Sequence, residues 1–201
     1  MPEAPALQFW FELASTYSYP AAMRIAARAA AAGVTVEWRP FLLGPIFQAQ
    51  GWNDSPFNVY PVKGRYMWRD VERICRKEAL PFRRPSRFPR PSLIGARVAC
   101  VGAREGWGPA FVRAVYHANF VEDRETGEAD VIASILAGLG VDAAPVLART
   151  QSPDIKAQLR GNTDEAIALG IFGAPSFVVG GELFWGNDRL EDALAWKLVG
   201  A

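Results

Sequence analysis

Two serines stand three residues apart where a strand is expected to give way to a helix. Ser15 and Ser18 follow the apolar run LQFWFEL (7–13) and precede an alanine-rich stretch. The free N–H groups and the dipole at a helix N-terminus favour negative charge. A hydroxyl at that position can therefore cap the helix or hydrogen-bond an anionic ligand, and the two serines alone leave both roles open.

The flanking pattern predicts a β-α-β unit. Residues 7–13 are short and aromatic-rich, and residues 35–43 begin with alternating, β-branched positions, so both are predicted as strands. Between them, residues 19–32 form a helix that ends at Gly33, with one of the two serines as its cap. A connection of this kind pairs the strands in parallel through a right-handed crossover.

The remainder of the chain is predicted to be helical until strand character returns near its end. We expect a Gly-, Pro- and Asn-rich loop over 44–62, a helix over 63–79 and then an extended proline-rich loop. Further helices are predicted over 92–105, 108–121, 127–139, 143–150, 152–160 and 163–170. PSFVVGG (175–181) and ELFW (182–185) form a hairpin. A last helix over 188–198 has Asn187 or Asp188 as its cap.

This order of elements is that of an α/β, thioredoxin-like fold with a large all-helical insertion. We expect residues 1–43 and 161–201 to form the thioredoxin-like domain and residues 44–160 the helical insertion. Pro175 directly precedes a predicted strand, where such folds carry a cis proline, although a trans proline that starts the strand is the alternative. STYS lies where redox members of the fold carry CxxC.

Composition argues against several classes of protein. The formal net charge of +1 provides no field for nucleic acid or an anionic membrane surface. No apolar segment approaches the roughly 20 residues that span a bilayer. The N-terminal MPEAPA lacks the apolar region of a signal peptide. We therefore expect a cytoplasmic protein without nucleic-acid or membrane partners.

Sulfur and imidazole chemistry have few candidates. Cys75 and Cys100 are too far apart for a CxxC pair and are expected to be buried free thiols. His117, the single histidine, lies on a helical stripe and is expected to pack or face solvent, and no metal site is predicted. A serine at a helix N-terminus can instead stabilise a thiolate that a ligand supplies, because hydrogen bonds and the dipole lower the pKa of a thiol.

Four blocks of the sequence resemble the 2-hydroxychromene-2-carboxylate isomerases and the related kappa-class glutathione transferases, which are DsbA-like thioredoxin folds with a helical insertion. The blocks are FWFELASTYSYPA, KGRYMWRD, FGAPSFVV and FWGNDRLE, and in this order they span nearly the whole chain. The resemblance implies glutathione as a cofactor and a small aromatic carboxylate as substrate. It also allows a homodimer.

The resemblance assigns roles residue by residue. Ser15 matches the catalytic serine that contacts the glutathione sulfur. Because Thr16 replaces a proline that is common in the family, Ser18 stays an alternative for the serine nearest the sulfur. Ala174, before Pro175, matches the backbone that pairs with the tripeptide. The segment that holds the γ-glutamyl end is matched by Trp185, Gly186, Asn187 and Asp188.

Substrate contacts are expected from the helical block. Asn58 and Lys63 fall at its entry, and Phe88 aligns with an aromatic position of the substrate pocket. The nearby arginines are expected to form a solvated loop face; they are Arg83, Arg84, Arg87 and Arg90. Phe47 stands where some aromatic-degrading members carry a lysine, which weakens the assignment of the chromene substrate.

The resemblance implies cis-trans isomerisation of 2-hydroxychromene-2-carboxylate, or of a similar intermediate of aromatic degradation, through a transient glutathione adduct. Two other functions stay open. One is a kappa-like transferase that conjugates glutathione to electrophiles, and the other is a thioredoxin-fold binding module without enzymatic activity.

Overall fold

The computed structural model describes residues 6–199, and four strands within it form one mixed sheet. The strands are β1 (Leu7–Phe11), β2 (Val36–Pro40), β3 (Ser176–Val179) and β4 (Glu182–Trp185). Their order is β2-β1-β3-β4, with β2 parallel to β1 and the other neighbours antiparallel. The expectation about a signal peptide rests on MPEAPA, which lies mostly outside the described residues. The outer ends of the predicted thioredoxin-like domain, residues 1–5 and 200–201, also lie outside them.

One helix connects β1 to β2, a series of helices lies between β2 and β3 in the chain, and one more helix follows β4. They are α1 (Ser18–Ala31), α2 (Leu43–Ala49), α3 (Pro56–Val59), α4 (Pro61–Lys77), α5 (Leu93–Glu105), α6 (Gly108–Phe120), α7 (Ala129–Gly138), α8 (Ala143–Arg149), α9 (Pro153–Ala168) and α10 (Leu190–Leu198). A 3-10 turn, Asn187–Arg189, precedes α10. The predicted α/β, thioredoxin-like fold with a helical insertion is confirmed. None of the described helices combines the length and the apolar character that crossing a bilayer requires.

Strand β1 is packed on both faces of the sheet because it alternates large aromatic side chains. Phe9 stacks on Phe177 of β3, with ring centroids 5.5 Å apart, in the larger core shared with α1 and the helical block. Trp10 points to the opposite face and meets Phe41 edge-on at 6.1 Å, in a second core that includes residues of α2 and α9. Packing on both faces holds β1 in place, so the turn at its carboxyl end is well anchored.

Prolines that we read as loop residues begin helices instead. The expectation of an irregular segment over 44–62 is wrong, since α2 occupies its start and α3 lies within it. Pro45 lies in the first turn of α2 and Pro56 at the first position of α3, where the missing N–H removes no helical hydrogen bond. Ser55 then caps α3 through the Phe57 N–H.

The predicted break between helices 152–160 and 163–170 is also wrong. Helix α9 runs unbroken through Gly161, an exposed glycine that costs about 1 kcal/mol of helix propensity without ending the helix. The division into domains at residues 160 and 161 therefore falls within one helix and stays a prediction. The predicted β3–β4 hairpin is confirmed, and both turn glycines, Gly180 and Gly181, have positive φ, as a tight hairpin turn requires.

Candidate functional site

Ser15 lies in the turn between β1 and α1 and connects two parts of the fold. Its hydroxyl accepts a hydrogen bond from the Ser18 N–H at 3.2 Å, so it satisfies the first amide of α1 in place of the N-cap residue Tyr17, whose side chain makes no such bond. The same hydroxyl donates to the Ala174 carbonyl at 2.9 Å, although 159 residues separate the two in sequence. Capping and a place at a ligand site are therefore compatible for this serine.

The two serines differ in accessibility. Ser15 is half-buried and lines a cavity, whereas Ser18 is fully buried and does not contribute to its wall. Thr16, which replaces the proline common in the family, is also buried, and its hydroxyl donates to the Met67 sulfur at 3.0 Å. The substitution ties the turn to α4 and leaves Ser15 facing the cavity.

The cavity lies between the thioredoxin-like sheet and the helical block and has a volume of about 1500 Å³. Pockets for single small ligands usually measure roughly 300–1,000 Å³, so this space can hold a tripeptide and a second molecule together. The predicted site residues on its wall are Ser15, Lys63, Phe88, Ala174, Trp185, Gly186, Asn187 and Asp188. The structure thus brings together residues from both ends of the chain and from the insertion.

The Ala174–Pro175 peptide bond is cis, which is one of the two alternatives that the sequence left open. Ala174 lines the cavity, whereas Pro175 is buried behind it and its carbonyl accepts the Gly186 N–H at 3.0 Å. At Gly173, a Cβ atom would come within 2.4 Å of the Trp185 indole nitrogen. A glycine is therefore needed at this position for the indole to pack against the strand entrance.

Asn187 does not cap the last helix, and neither does Asp188, so that prediction is wrong. The Arg24 guanidinium from α1 donates to Asn187 Oδ1 at 2.8 Å and to its backbone carbonyl at 3.3 Å. Because a guanidinium only donates, this contact turns the amide oxygen of Asn187 toward Arg24. The amide N–H₂ group is left as the part of this buried side chain that can bind a ligand.

Asp188 lies at the surface beside Asn187, and its carboxylate accepts from Arg189 at 2.8 Å. Arg189 also pairs with Asp192 at 2.7 Å. Exposed ion pairs contribute little free energy, so Asp188 can exchange this partner for a ligand ammonium group at small cost.

The predicted substrate residues occupy different positions relative to the cavity. Phe88 lines it and meets Trp68 edge-on at 4.9 Å, while the Lys63 ammonium lies 4.8 Å from the centre of the Tyr60 ring. Asn58 does not line the cavity. Its amide donates to Asp54 at 3.0 Å and to the Phe88 carbonyl at 3.3 Å, which ties α3 to the proline-rich loop.

The expectation of a solvated face for all four loop arginines is wrong for Arg90. Its side chain is 1% exposed and bonds Asp123 at 2.5 Å, Glu125 at 3.0 Å and Asn119 at 2.7 Å. Arg83, Arg84 and Arg87 are exposed, as expected. Arg90 lies among prolines and other arginines in the sequence, and this context predicted exposure. Its partners come from the end of α6 and the segment after it, so only the folded structure shows that it is buried.

Sequence reasoning also missed Glu12, Arg24 and Phe172 as residues of the cavity wall. Burial raises the pKa of Glu12 to about 7, despite hydrogen bonds that favour its charged form. Phe172 packs edge-on against Trp185, with centroids 4.6 Å apart. A signal existed for Glu12, since it is the acid at the end of an otherwise apolar run, whereas Arg24 looked like an ordinary polar position of a helix.

The remaining candidates for chemistry are set apart from the cavity. Cys75 and Cys100 are buried free thiols, and burial raises their pKa values to about 12 and about 11, which makes both poor nucleophiles. His117 is half-buried and lies 3.2 Å from Glu122. Among residues 6–199, no three His, Cys, Asp or Glu side chains come together as metal ligands.

Comparison with known proteins places this geometry in a family. A profile of the DSBA-like thioredoxin domain matches residues 6–195. A 2-hydroxychromene-2-carboxylate isomerase of Sphingobium xenophagum is 29% identical over 187 residues, which are 92% of this chain and 94% of that protein. Glutathione s-transferase kappa 2 of Caenorhabditis elegans is 25% identical over 187 residues, with 87% of this chain and 81% of that protein covered.

The structural comparison agrees. A solved structure of a 2-hydroxychromene-2-carboxylate isomerase superposes with a TM-score of 0.85 at 25% identity, and the match covers 97% of this chain and 96% of that one. The resemblance carried by the four sequence blocks is confirmed. This chain belongs to the DSBA-like thioredoxin domain family and is a homologue of the 2-hydroxychromene-2-carboxylate isomerases.

Proposed function

We propose that this protein is a glutathione-dependent isomerase that acts on 2-hydroxychromene-2-carboxylate or on a similar aromatic carboxylate. The observation that carries the proposal is the meeting of Ser15, Ala174 and Asn187 on one cavity wall. These three residues offer a hydroxyl at a helix N-terminus, a backbone carbonyl next to a strand and an oriented amide. Relatives named as isomerases and as a kappa transferase support both the cofactor and the reaction class.

The groups present suit glutathione. When bound, it would supply a thiolate that adds reversibly to the substrate, so that a double bond can rotate. Ser15 stabilises the sulfur anion by turning its O–H from the Ala174 carbonyl, to which it now donates at 2.9 Å. The Ala174 carbonyl can then accept an amide N–H of the tripeptide. Asn187 and Asp188 bind the γ-glutamyl end, and Trp185 and Gly186 form the wall beside it.

The rest of the cavity suits an aromatic substrate. Aromatic side chains of the insertion line it; they are Phe47, Trp52, Phe57 and Phe88. Lys63 supplies a cation for a substrate carboxylate, and Asn58 holds the loop that carries Phe88. A cytoplasmic location, where free buried thiols such as Cys75 persist, and a homodimer stay predictions.

One observation favours a kappa-like transferase as a second candidate. Phe47, where some aromatic-degrading members have a lysine, lies on the cavity wall and packs against Trp52 with centroids 5.7 Å apart. This side of the cavity therefore offers apolar surface where a cation would help bind an acid. An apolar electrophile that becomes conjugated to glutathione would fit it well.

Binding and product analysis distinguish these functions. Calorimetric titration with glutathione should give saturable binding, and S-methylglutathione, which cannot form a thiolate, should bind more weakly. Incubation with the chromene acid should yield its trans keto-acid isomer with glutathione unconsumed. A stable thioether product would instead establish the transferase, and absence of saturable binding would leave the non-enzymatic binding module.

A further inference from the structure

Glu12 is a buried carboxyl group on the wall of the proposed glutathione site. It follows β1 directly, three residues before Ser15, and is 6% exposed. Its Oε2 atom accepts the Ala14 N–H at 2.8 Å. Its backbone carbonyl accepts the Ser15 N–H at 3.0 Å and the Tyr116 hydroxyl at 2.9 Å. Glu12 is thus fixed beneath the turn that presents Ser15.

The surroundings of Glu12 contain hydrogen-bond donors but no compensating cation. Besides the Ala14 N–H, the Ser92 hydroxyl at the start of α5 lies near enough to lower the pKa of the carboxyl group, and the neutral Tyr116 phenol of α6 lies close to it. In the described chain, no Lys, Arg or His forms an ion pair with Glu12. Arg90 lines the same cavity, but its guanidinium is bonded to Asp123 and Glu125.

This environment makes a negative charge on Glu12 costly. A buried carboxylate without a cationic partner loses its hydration and gains only a few hydrogen bonds in return. Burial accordingly raises the pKa of Glu12 to about 7. A proton that reaches the cavity near neutral pH can therefore be held by this carboxylate.

We infer that Glu12 accepts the thiol proton of bound glutathione and returns it when the sulfur leaves the substrate. The inference rests on the proposed function. As the S–H bond breaks, its electron pair stays on sulfur and the proton forms an O–H bond with a Glu12 carboxylate oxygen. The reverse transfer restores both groups, so the site needs no other acid or base for this step.

The proton transfer is favourable because it moves the negative charge from the buried Glu12 carboxylate to the glutathione sulfur, where an anion is better stabilised. Before it, the negative charge lies on a buried carboxylate that only neutral donors stabilise. Afterwards, the charge lies on sulfur beside the Ser15 hydroxyl and the N-terminus of α1, which favour an anion. The net charge of the cavity does not change, so substrate carboxylate binding is not opposed by an additional anion.

Proton counting on binding tests the inference without use of catalytic activity. Glutathione is titrated into the whole protein in buffers of different ionisation enthalpy, and thiolate formation is followed by ultraviolet absorbance. At pH 8 the wild type should release almost no proton, because the new thiolate opposes a second negative charge and so keeps the proton on the Glu12 carboxyl group. At pH 6, where Glu12 is already protonated, release should rise to about one proton per thiolate formed.

The Glu12→Gln variant preserves an acceptor for the Ala14 N–H but cannot hold the proton. At pH 8 it should either release about one proton for each thiolate or bind glutathione as the neutral thiol. Glu128→Gln, which removes an exposed carboxylate outside the cavity, should behave like the wild type.

Three results would overturn the inference. The first is that the wild type and Glu12→Gln both form the thiolate at pH 8 and release equal numbers of protons. The second is that proton release by the wild type does not change between pH 6 and pH 8. The third is that glutathione does not bind at all. Only the last also removes the proposed function. If Glu12→Gln does not fold, the pH dependence of the wild type decides alone.

Discussion

Ser15 shows how one hydroxyl can serve the fold and a ligand site. It satisfies the Ser18 N–H at the start of α1 and simultaneously joins that turn to Ala174, beside the cis Pro175. The predicted elements already suggested that these segments would meet, since both lie at the same end of adjacent strands. The direct bond between the hydroxyl and the carbonyl was not foreseeable, because it depends on the register of β1 and β3.

Replacing Ser15 by Ala tests its role at the sulfur. The variant loses a donor to the thiolate, and removal of one such donor typically lowers turnover by about 10²- to 10³-fold. Glutathione affinity should fall only modestly, because the contacts at Asn187 and Asp188 persist. Steady-state kinetics with glutathione and substrate varied separately would measure both effects.

Ser18→Ala is the matched control. The Ser18 hydroxyl is buried, has no hydrogen-bond partner among residues 6–199 and lies off the cavity, so its removal should leave turnover and thermal stability nearly unchanged. Equal losses of turnover in the two variants would contradict the assignment of Ser15.

At the scale of elements, α1 does more than present its N-terminus. Arg24, in its second turn, holds the segment before α10 through Asn187 and is itself paired with Glu191 at 2.9 Å and Glu78 at 3.6 Å. Helix α1 therefore positions both ends of the proposed glutathione site, the sulfur end directly and the γ-glutamyl end through this arginine.

Arg24→Met should weaken glutathione binding about tenfold and leave the maximal rate nearly unchanged. The reason is that the Asn187 amide loses the charged hydrogen-bond donor that orients it, and such a hydrogen bond contributes about 1.5–3 kcal/mol. The KM for glutathione and a direct binding titration would show this. Arg28→Met is the control, since Arg28 pairs with the same Glu78 and Glu191 at 3.8 Å but has no bond to Asn187. A comparable loss of affinity in Arg28→Met would mean that general charge, not orientation, is responsible.

The proline-rich loop that carries Phe88 is held by a different arginine. Arg90→Met should lower the free energy of unfolding by about 3–5 kcal/mol, because it leaves Asp123 without its buried partner. Urea denaturation measures this loss. Arg87→Met, which removes an exposed arginine 3.7 Å from Glu125, should cost less than about 1 kcal/mol. Similar losses in both variants would refute a structural role for the buried guanidinium.

Local signals in the sequence predicted most of the fold, and the two interior arginines were missed for a common reason. Apolar alternation and the Gly180–Gly181 turn depend on neighbouring residues and were confirmed, whereas the helix break near Gly161 and the cap of the last helix were wrong. Arg24 and Arg90 could not be identified, because their partners lie far away in sequence and only tertiary packing makes them interior residues. On the cavity wall, the positions to which the resemblance gives a role were found, whereas Phe172, the first residue of the block FGAPSFVV, was given none.

On the scale of the whole molecule, the cavity exists because the insertion faces the sheet. Its wall combines the β1–α1 turn and the segment around Ala174 with α2, α4 and the proline-rich loop. Neither part of the chain encloses the space alone. The burial of Glu12 likewise depends on both parts, since Ser92 and Tyr116 of the insertion cover a residue at the end of β1.

This burial predicts how stability depends on pH. The folded protein raises the pKa of Glu12 from 4.5 to about 7, so between these values it binds a proton that the unfolded chain does not. Stability is therefore highest near the lower end of this window and falls as pH rises through it, by about 3 kcal/mol in total. Asp123 acts in a separate window: the Ser86 amide and Arg90 lower its pKa from 3.8 to about 2, so its contribution is lost only as pH falls below about 4.

Urea denaturation at intervals from pH 4.5 to 8 measures this dependence, with Glu12→Gln as the matched variant. The wild type should lose stability as pH rises toward neutrality, whereas the variant, which has no titrating group at this position, should show a flatter profile. A wild-type profile that rises across the window, or a variant that retains the full decline, would show that Glu12 does not carry its proton in the folded protein. Because Ser92 and Tyr116 enclose this carboxyl from the helical insertion, the same measurement reports whether the insertion and the sheet are packed together at the base of the cavity.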